Sequence, residues 1–367
     1  MLEFEVNIMK IACISDIHIG AVPHNTLRKE IQEYFLDILD EKKPDLVIIC
    51  GDLIDHKLSF NSEDSKLAIE FMEELTNKFP VRLIKGTKTH DLDQLNNFIY
   101  LENKEGIDFK LFNIMTKETF NGIDILYMPE EYLEDYFGTY EELLSQHYDL
   151  GIFHGTWNFA GYASKIQESE RPIKQAPLYK YEDMKDVADQ FIGGHIHISE
   201  EYNNIVYTGS FSRWCMGEEN KKGFIIYDTD SKELEFIENK LARKYITLDV
   251  NKLMQEKKDI KDKIKIIESY KNNKEIYKLR IKFDDTGNDS DTLILKEYFA
   301  NNKSVNVAIN NVKKIEEANK EEKITEEYSF IFNKEYDMQT MISMYLEKHD
   351  NIHMKPDIIK ELLLEDE

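Results

Sequence analysis

Short apolar runs alternate with amphipathic segments over the first two-thirds of the chain. The runs at 11–14, 46–49 and 81–84 are short and rich in Ile, Leu and Val, as buried strands are. Apolar residues at helical spacing separate the first two runs until Pro44 ends that helix, and a second helix is expected over 62–78. This βαβαβ rhythm predicts an α/β fold in which helices flank the sheets.

Five later apolar runs predict further strands. They lie at 123–128, 150–153, 191–194, 205–207 and 224–227. The last of these runs are closely spaced, which is typical of hairpins, so we expect mixed rather than purely parallel sheets.

The pattern changes after about residue 238. A Lys-rich helical stretch, a strand at 276–283 and a helix near 292–300 predict a small α+β domain. The remaining tail has a charged segment and then apolar stripes at helical spacing around Pro356, which pack either on their own domain or on a partner. We therefore expect three parts, at 9–238, 239–312 and 313–367.

Charge is distributed unevenly along the chain. The net charge of −24 argues against a nucleic-acid partner, because phosphate binding usually leaves a basic footprint. Residues 239–282, however, hold 14 Lys or Arg against 6 Asp or Glu, whereas 315–367 hold 6 against 15. Such runs are usually solvated faces, but a basic module on an acidic body is also a candidate groove for an anionic polymer.

The composition favours a cytoplasmic globular protein. No apolar run approaches the roughly 20 residues that cross a bilayer, and the first ten residues do not have the pattern of a signal peptide. Cys13, Cys50 and Cys215 are too few and too scattered for a disulfide framework.

Four of the predicted strands run directly into residues of the types that bind metals. These residues are Asp16 and His18, then Asp52, then His154, and finally His195 and His197. Ligands at the carboxyl ends of strands in an open α/β sheet converge on one crevice. A lone histidine or a D-x-H pair is more often structural, but the joint pattern is unlike chance.

This set suits a pair of divalent ions. Two ions about 3.5–4 Å apart need one ligand that bridges them, and a carboxylate such as Asp52 is suited to that position. Imidazoles and another carboxylate can fill the outer positions. Such a pair activates water and stabilises the charge on a phosphoryl oxygen.

At these residues the chain resembles the calcineurin-like metallophosphoesterase superfamily, whose pattern is D-x-H, GD-x-x-D, GNH-D/E, a lone His and GH-x-H. The resemblance covers about residues 9–230 and implies a four-layer β-sandwich flanked by helices. It implies that the six residues above are the metal ligands and that His90 contacts the transition state or the leaving group. Asp55 matches a supporting acid that does not bind the metals directly. His56 is a further catalytic candidate, although a histidine beside a loop motif is more often incidental.

Within that superfamily the chain looks like the SbcD type and its meiotic-recombination-eleven counterpart. The segment YTGSFSRWCMGEENKKGF at 207–224 is similar to the YPGS, Arg, GEE and KGF segment of those nucleases. This resemblance implies a 3′–5′ DNA exonuclease and endonuclease of repair and recombination that uses two Mn²⁺ ions, with Mg²⁺ as the alternative. It also implies a homodimer with a small capping domain, whose C-terminal helices bind an SbcC-like coiled-coil ATPase. The compact size resembles phage versions, which work in the host cytoplasm.

The chain departs from the family pattern at one position that is expected to bind the second ion. The family has Gly-Asn-His-Asp, whereas this chain has GTKTHD, with Thr89 before His90. A threonine hydroxyl is a poorer neutral ligand than an amide oxygen. Three alternatives stay open: the second ion binds weakly, it uses Thr89 or a water, or it borrows Asp91, which otherwise is a supporting acid.

Two other functions compete with the nuclease. A DNA-binding and regulatory protein of the ATPase complex would have kept the fold and lost efficient catalysis with the Asn. A phosphatase of the same superfamily has no evident need for the basic 239–282 stretch.

Overall fold

A computed structural model describes most of the chain. It covers residues 9–131, 133, 135–158, 179–249, 260–273, 276–285 and 305–311. The predicted helical tail at 313–367 and the predicted helix near 292–300 lie outside these ranges. Among the helices of the described residues, none is both long and apolar enough to cross a bilayer.

The first six-stranded sheet has a parallel centre and an antiparallel edge. Its parallel strands are β1 (Lys10–Ile14), β2 (Leu46–Cys50), β3 (Val81–Ile84) and β4 (Phe109–Phe112). The hairpin of β11 (Gly223–Asp228) and β12 (Leu234–Glu238) pairs antiparallel with β1, which gives the order β12-β11-β1-β2-β3-β4. The strands predicted at 11–14, 46–49 and 81–84 are thus confirmed.

Helices cover the outer face of this sheet. They are α1 (His24–Ile31), a π-helical turn (Gln32–Leu36), α2 (Asp37–Lys42), α3 (Glu63–Lys78) and a 3₁₀ segment (Gln94–Asn103). Ser62 caps α3, since its hydroxyl accepts a hydrogen bond from the amide of Ser65 at 3.1 Å. Lys43, in a left-handed conformation just before Pro44, ends α2.

The second six-stranded sheet is parallel at its centre and antiparallel at both edges. Its members are β5 (Thr116–Phe120), β6 (Ile123–Met128), β7 (Tyr148–His154), β8 (Ala188–Gly194), β9 (Glu200–Tyr202) and β10 (Ile205–Tyr207). Their order is β5-β6-β7-β8-β10-β9. Short helices accompany it: α4 (Tyr136–Thr139), α5 (Glu141–Leu144) and α6 (Tyr181–Met184).

The two sheets pack face to face. Alternate residues of β1 and β2, such as Ile11 and Ile48, meet alternate residues of β6 to β8, such as Ile125, Ile152 and Ile192. The opposite face of the first sheet packs on the helices, and that of the second sheet packs on Trp157, Tyr179 and their neighbours. Strands buried on both faces explain the continuous apolar runs in the sequence. The predicted α/β sandwich flanked by helices is confirmed.

A third sheet follows in the chain. It has three strands in chain order, β13 (Lys244–Asp249), β14 (Ile276–Asp285) and β15 (Val305–Asn311), and the helix α7 (Ile260–Lys271) lies between the first two in sequence. By compactness the chain divides into Met1–Thr247 with Ser269–Arg280, and Leu248–Glu268 with Ile281–Glu367. The three-part division at 238 and 312 stays a prediction.

Candidate metal centre

The loops that follow the carboxyl ends of the central strands carry a compact group of polar side chains. Asp16 and His18 follow β1, Asp52 follows β2, Thr87 follows β3, Glu130 follows β6, His154 ends β7, and His195 and His197 follow β8. The carboxyl ends of parallel strands lie at one edge of a sheet, and both sheets present that edge to the same crevice.

The backbone of this group is held in unusual conformations. Asp16, His18, Asp52 and His195 all have positive φ, at 50°, 49°, 52° and 93°. Such conformations cost about 1–3 kcal/mol each in a residue that is not glycine, and they concentrate at functional sites. The loops hold one another in place, because the amide of His18 donates to the carbonyl of Asp52 at 3.1 Å.

Two glycines let these loops approach closely. Gly51 has a φ of +87°, and a Cβ there would lie 2.3 Å from Nδ1 of His154. A Cβ on Gly86 would lie 2.2 Å from the amide nitrogen and from Oδ1 of Asp52. Neither contact can be relieved by a flexible side chain end, so the crevice requires glycine at both positions.

We call Asp16, His18 and His197 the first half of the centre. The Nε2 atoms of the two histidines lie 3.1 Å apart, and Oδ1 of Asp16 is 3.8 Å from the first and 3.6 Å from the second. The carboxylate of Asp16 also accepts the backbone amide of His195 at 3.0 Å. Three donor atoms from two loops therefore face one point.

Acids outside this half orient its imidazoles. Nδ1 of His197 donates to Glu218 at 2.5 Å, and Nδ1 of His18 lies 3.3 Å from Asp55. Each Nε2 is therefore turned toward the other, and two such nitrogens 3.1 Å apart need a cation or a proton between them. Burial raises the pKa values of both acids, but the adjacent His18 and His56 lower the pKa of Asp55 to about 2, and the hydrogen bond from His197 lowers that of Glu218 to about 2.

Asp52 lies between the two halves. Its Oδ2 atom is 3.8 Å from Nε2 of His18 and 3.3 Å from Nε2 of His154. Burial opposes the charged carboxylate, but His154 and His18 lower the pKa of Asp52 well below its usual range. One carboxylate oxygen thus faces both groups of donors, as a bridging role requires.

We call Thr87, Glu130, His154 and His195 the second half. Oε2 of Glu130 is 3.0 Å from Nδ1 of His195 and 3.8 Å from Nε2 of His154. The Thr87 hydroxyl lies 3.1–3.3 Å from donor atoms of all three other residues. Nδ1 of His154 donates to the carbonyl of Cys50 at 2.7 Å, so its Nε2 faces this half with a lone pair.

The structure does not bring Thr89 to either half. Its side chain is exposed, and it is Thr87, two residues earlier, that lies among the donor atoms.

Asp91 is buried and its two oxygens accept backbone amides of Asp52, Ile54 and Gly86 at 2.8–3.1 Å. Burial and the neighbouring Asp52 raise the pKa of Asp91 to about 7. Asp91 therefore connects the loop after β2 to the loop after β3 through these hydrogen bonds.

His90 and His56 lie at the edge of the first half. The rings of His90 and His18 are 4.7 Å apart, and Nδ1 of His90 donates to the carbonyl of Asp55 at 2.6 Å. His56 is largely exposed, and its Nδ1 lies 2.9 Å from the Asp55 carboxylate. The hydrogen bond to the carbonyl of Asp55 thus holds His90 at the crevice, whereas the side chain of His56 lies mostly in solvent.

The donor set fits two divalent cations. Donor atoms of Asp16, His18 and His197 lie within 4.8 Å of one another, and the same holds for Glu130, His154 and His195. Burial lowers the pKa of a histidine, yet the surrounding carboxylates raise the pKa of His18 to about 10 and that of His154 well above its ordinary value. The crevice therefore has an excess of negative charge that cations would neutralise.

Sequence reasoning missed three members of this arrangement. Glu130 follows β6 as the other acids follow their strands, so the strand-end rule applied to YMPE at 127–130 would have found it. Glu218 belongs to the GEE segment that carries the resemblance, but that segment by itself indicates no contact with a histidine. Thr87 gave no signal, because threonine is common in turns.

A family model confirms the architecture. Residues 9–199 match the model described as calcineurin-like phosphoesterase. The chain belongs to this family. The matched part contains every residue of both halves and His90, so the resemblance expected from the sequence is confirmed at the level of the family.

Two curated relatives of this phosphoesterase match over a longer stretch. The chain is 27% identical over 296 residues to the SbcD component of the nuclease SbcCD from Staphylococcus epidermidis. The aligned region covers 70% of this chain and 76% of that protein. It is 25% identical over 293 residues to the protein of the same name from Staphylococcus saprophyticus, with the same coverage.

A solved phosphatase is a weaker match. The cold-active protein-tyrosine phosphatase of a psychrophilic Shewanella species is 13% identical, with a TM-score of 0.30, and the match covers 63% of this chain and 80% of that one. A likeness this low has no bearing on function.

Proposed function

We propose that this phosphoesterase is a DNA nuclease of the SbcD type. The observation that carries the proposal is the two-part donor cluster joined by Asp52, found in a chain whose curated relatives are named as the SbcD component of the nuclease SbcCD. Phosphodiester hydrolysis by two divalent ions is the chemistry that such a cluster serves.

The ions and the residues divide the work. Two ions held by the donor atoms of the two halves and by Asp52 would supply the activation of water and the neutralisation of charge on the phosphoryl oxygens. Asp52 holds both halves in register, while Asp55 and Glu218 keep the Nε2 atoms of His18 and His197 turned inward. Because the carbonyl of Cys50 fixes the ring of His154, the second half is oriented in the same way.

His90 is proposed as the catalytic histidine. Its Nδ1 is committed to the carbonyl of Asp55, so Nε2 is the atom that can exchange a proton. Located beside the first half, it is suited to stabilise the transition state or to protonate the leaving 3′-oxygen. His56 is exposed and has the weaker claim to such a role.

The finer points of the proposal rest on the resemblance. We propose 3′–5′ exonuclease and endonuclease activity with Mn²⁺, homodimerisation, and work with an SbcC-like ATPase in DNA repair and recombination. The basic stretch 239–282 supports contact with DNA, since exposed lysines such as Lys261, Lys265 and Lys278 belong to it. The tail proposed to bind the ATPase lies outside the described residues.

A cleavage assay tests this function. Full-length protein is incubated with Mn²⁺ and either linear duplex DNA or circular single-stranded DNA, with and without the neighbouring ATPase, beside Asp52→Ala. We expect cleavage of both substrates by the wild type and a loss of at least about 100-fold in the variant. If the two proteins are equally inactive on DNA, a regulatory DNA-binding role replaces the nuclease. Hydrolysis of nitrophenyl phosphate without any of DNA would indicate a phosphatase.

A further inference from the structure

The strongest unassigned feature is the buried carboxylate of Glu130. We infer that Glu130 is a direct ligand of the second divalent ion and takes the place of the asparagine that the family pattern has in GNH. The inference rests on the proposed function, in that it concerns the second ion of the same centre.

The geometry favours a ligand. Donors about 2.1 Å from an octahedral Mg²⁺-sized ion are about 3 Å from their neighbours. Oε2 of Glu130 lies 3.0 Å from Nδ1 of His195, 3.1 Å from the Thr87 hydroxyl and 3.8 Å from Nε2 of His154. Oδ2 of Asp52 is 3.2 Å from the same hydroxyl. One oxygen of Glu130 therefore has the spacing of a coordination shell.

Burial supplies a second argument. The Glu130 side chain is only 1% exposed, and a carboxylate removed from water needs a compensating positive charge. Within the described part of the chain, its ion-pair partners are His154 and His195, with no lysine or arginine. Both imidazoles have a nitrogen facing the same point, so a cation there would compensate the carboxylate and leave both rings neutral.

The backbone fixes this carboxylate in position. The amide of Glu130 donates to the carbonyl of Lys85 at 3.2 Å, which links the end of β6 to the loop after β3. That loop is the one in which the family has its asparagine and this chain has Thr87. An acid from the neighbouring sheet thus reaches the position that the shortened side chain leaves open.

The substitution changes the charge of the second half. An amide is neutral, whereas Glu130 adds one negative charge, and oxygen ligands of this kind suit hard cations such as Mg²⁺ and Mn²⁺. The second ion is therefore held firmly, in contrast to the weak binding that the missing asparagine alone would imply.

A metal titration of the full chain tests this inference without DNA. Mn²⁺ is titrated into metal-free protein and followed by calorimetry and by the electron paramagnetic resonance of free Mn²⁺. We expect two ions in the wild type. Glu130→Gln, which keeps the size of the side chain and a carbonyl that can accept from His195, should keep the first ion and bind the second at least about 10-fold more weakly.

Glu131→Gln is the matched control. The Glu131 carboxylate accepts from the Tyr140 hydroxyl at 2.8 Å and from the Met115 amide at 3.0 Å, so it belongs to neither half. We expect this variant to bind two ions as the wild type does.

The inference would be overturned if Glu130→Gln bound each of the two ions with the same affinity as the wild type does. Glu130 would then be a residue that only positions His195. If Glu130→Gln does not fold, Glu130→Asp keeps the charge but shortens the reach, and it should weaken the second ion alone. Unchanged binding in that variant would again overturn the inference. A wild type that binds two ions but leaves DNA intact would refute the nuclease function and not the role of Glu130.

Discussion

The two halves of the centre contain similar donors but place their supporting acids differently. In the first half, Asp55 and Glu218 stand behind the imidazoles and only Asp16 faces the crevice. In the second half, a backbone carbonyl orients His154, and the acid Glu130 lies among the donors themselves.

This difference gives each half one carboxylate among its own donor atoms, on a different element in each half. Each half has two histidines and one carboxylate of its own, and Asp52 is shared. Without Glu130, the second half would have no carboxylate of its own. In the ligand set that we infer, a charged carboxylate after β6 stands where the family pattern has a neutral amide after β3.

The largest effect is expected from His90→Ala, which tests whether the first half includes a further ligand. A general acid or base contributes about 10²–10⁴-fold, so DNA cleavage should fall by that factor while both ions bind normally. Cleavage rates and Mn²⁺ titration are measured on the same samples. Loss of the first ion would instead make His90 a ligand of the first half.

The next prediction concerns the acid behind the first half. Glu218→Gln removes the charge that holds Nδ1 of His197 and should weaken the first ion about 10–100-fold, with little change at the second. Glu130→Gln is expected to weaken the second ion instead, so a Mn²⁺ titration of both variants compares the two halves directly. If Glu218→Gln weakens both ions equally, the halves are not independent.

A smaller effect is expected on folding from Asp91→Asn. The amide group cannot accept three backbone hydrogen bonds as the carboxylate does, so the free energy of unfolding should fall by about 1–3 kcal/mol. Urea unfolding in the presence of a chelator measures it. The second ion should be weakened more than the first, because Gly86 leads into Thr87; a change in the first ion alone would contradict this.

The smallest effect on DNA cleavage is expected from substitutions of the two threonines of the loop after β3. Thr87→Val removes the hydroxyl at the centre of the second half, and we expect cleavage to fall by less than about 10-fold, since that hydroxyl is a weak neutral donor. Thr89→Val, at an exposed position, should cleave as the wild type does. The opposite order of effects would return Thr89 to the site.

Strand ends explain why so much of the centre could be predicted. Asp16, Asp52 and His154 each follow an apolar run that had to be a buried strand, and parallel strands bring their carboxyl ends together whatever the details of packing. The same rule failed for the β3 loop, because the number of residues between a strand and a ligand is set by loop conformation. That is why the sequence favoured Thr89 and the structure presents Thr87.

The sequence by itself determined most of the strands and the types of residue that follow them, because periodicity and residue chemistry are local properties. The tertiary structure alone decided which acid completes the second half. Glu130 and Thr87 are 43 residues apart and come from different sheets, and their contact at 3.1 Å exists only because those sheets pack face to face.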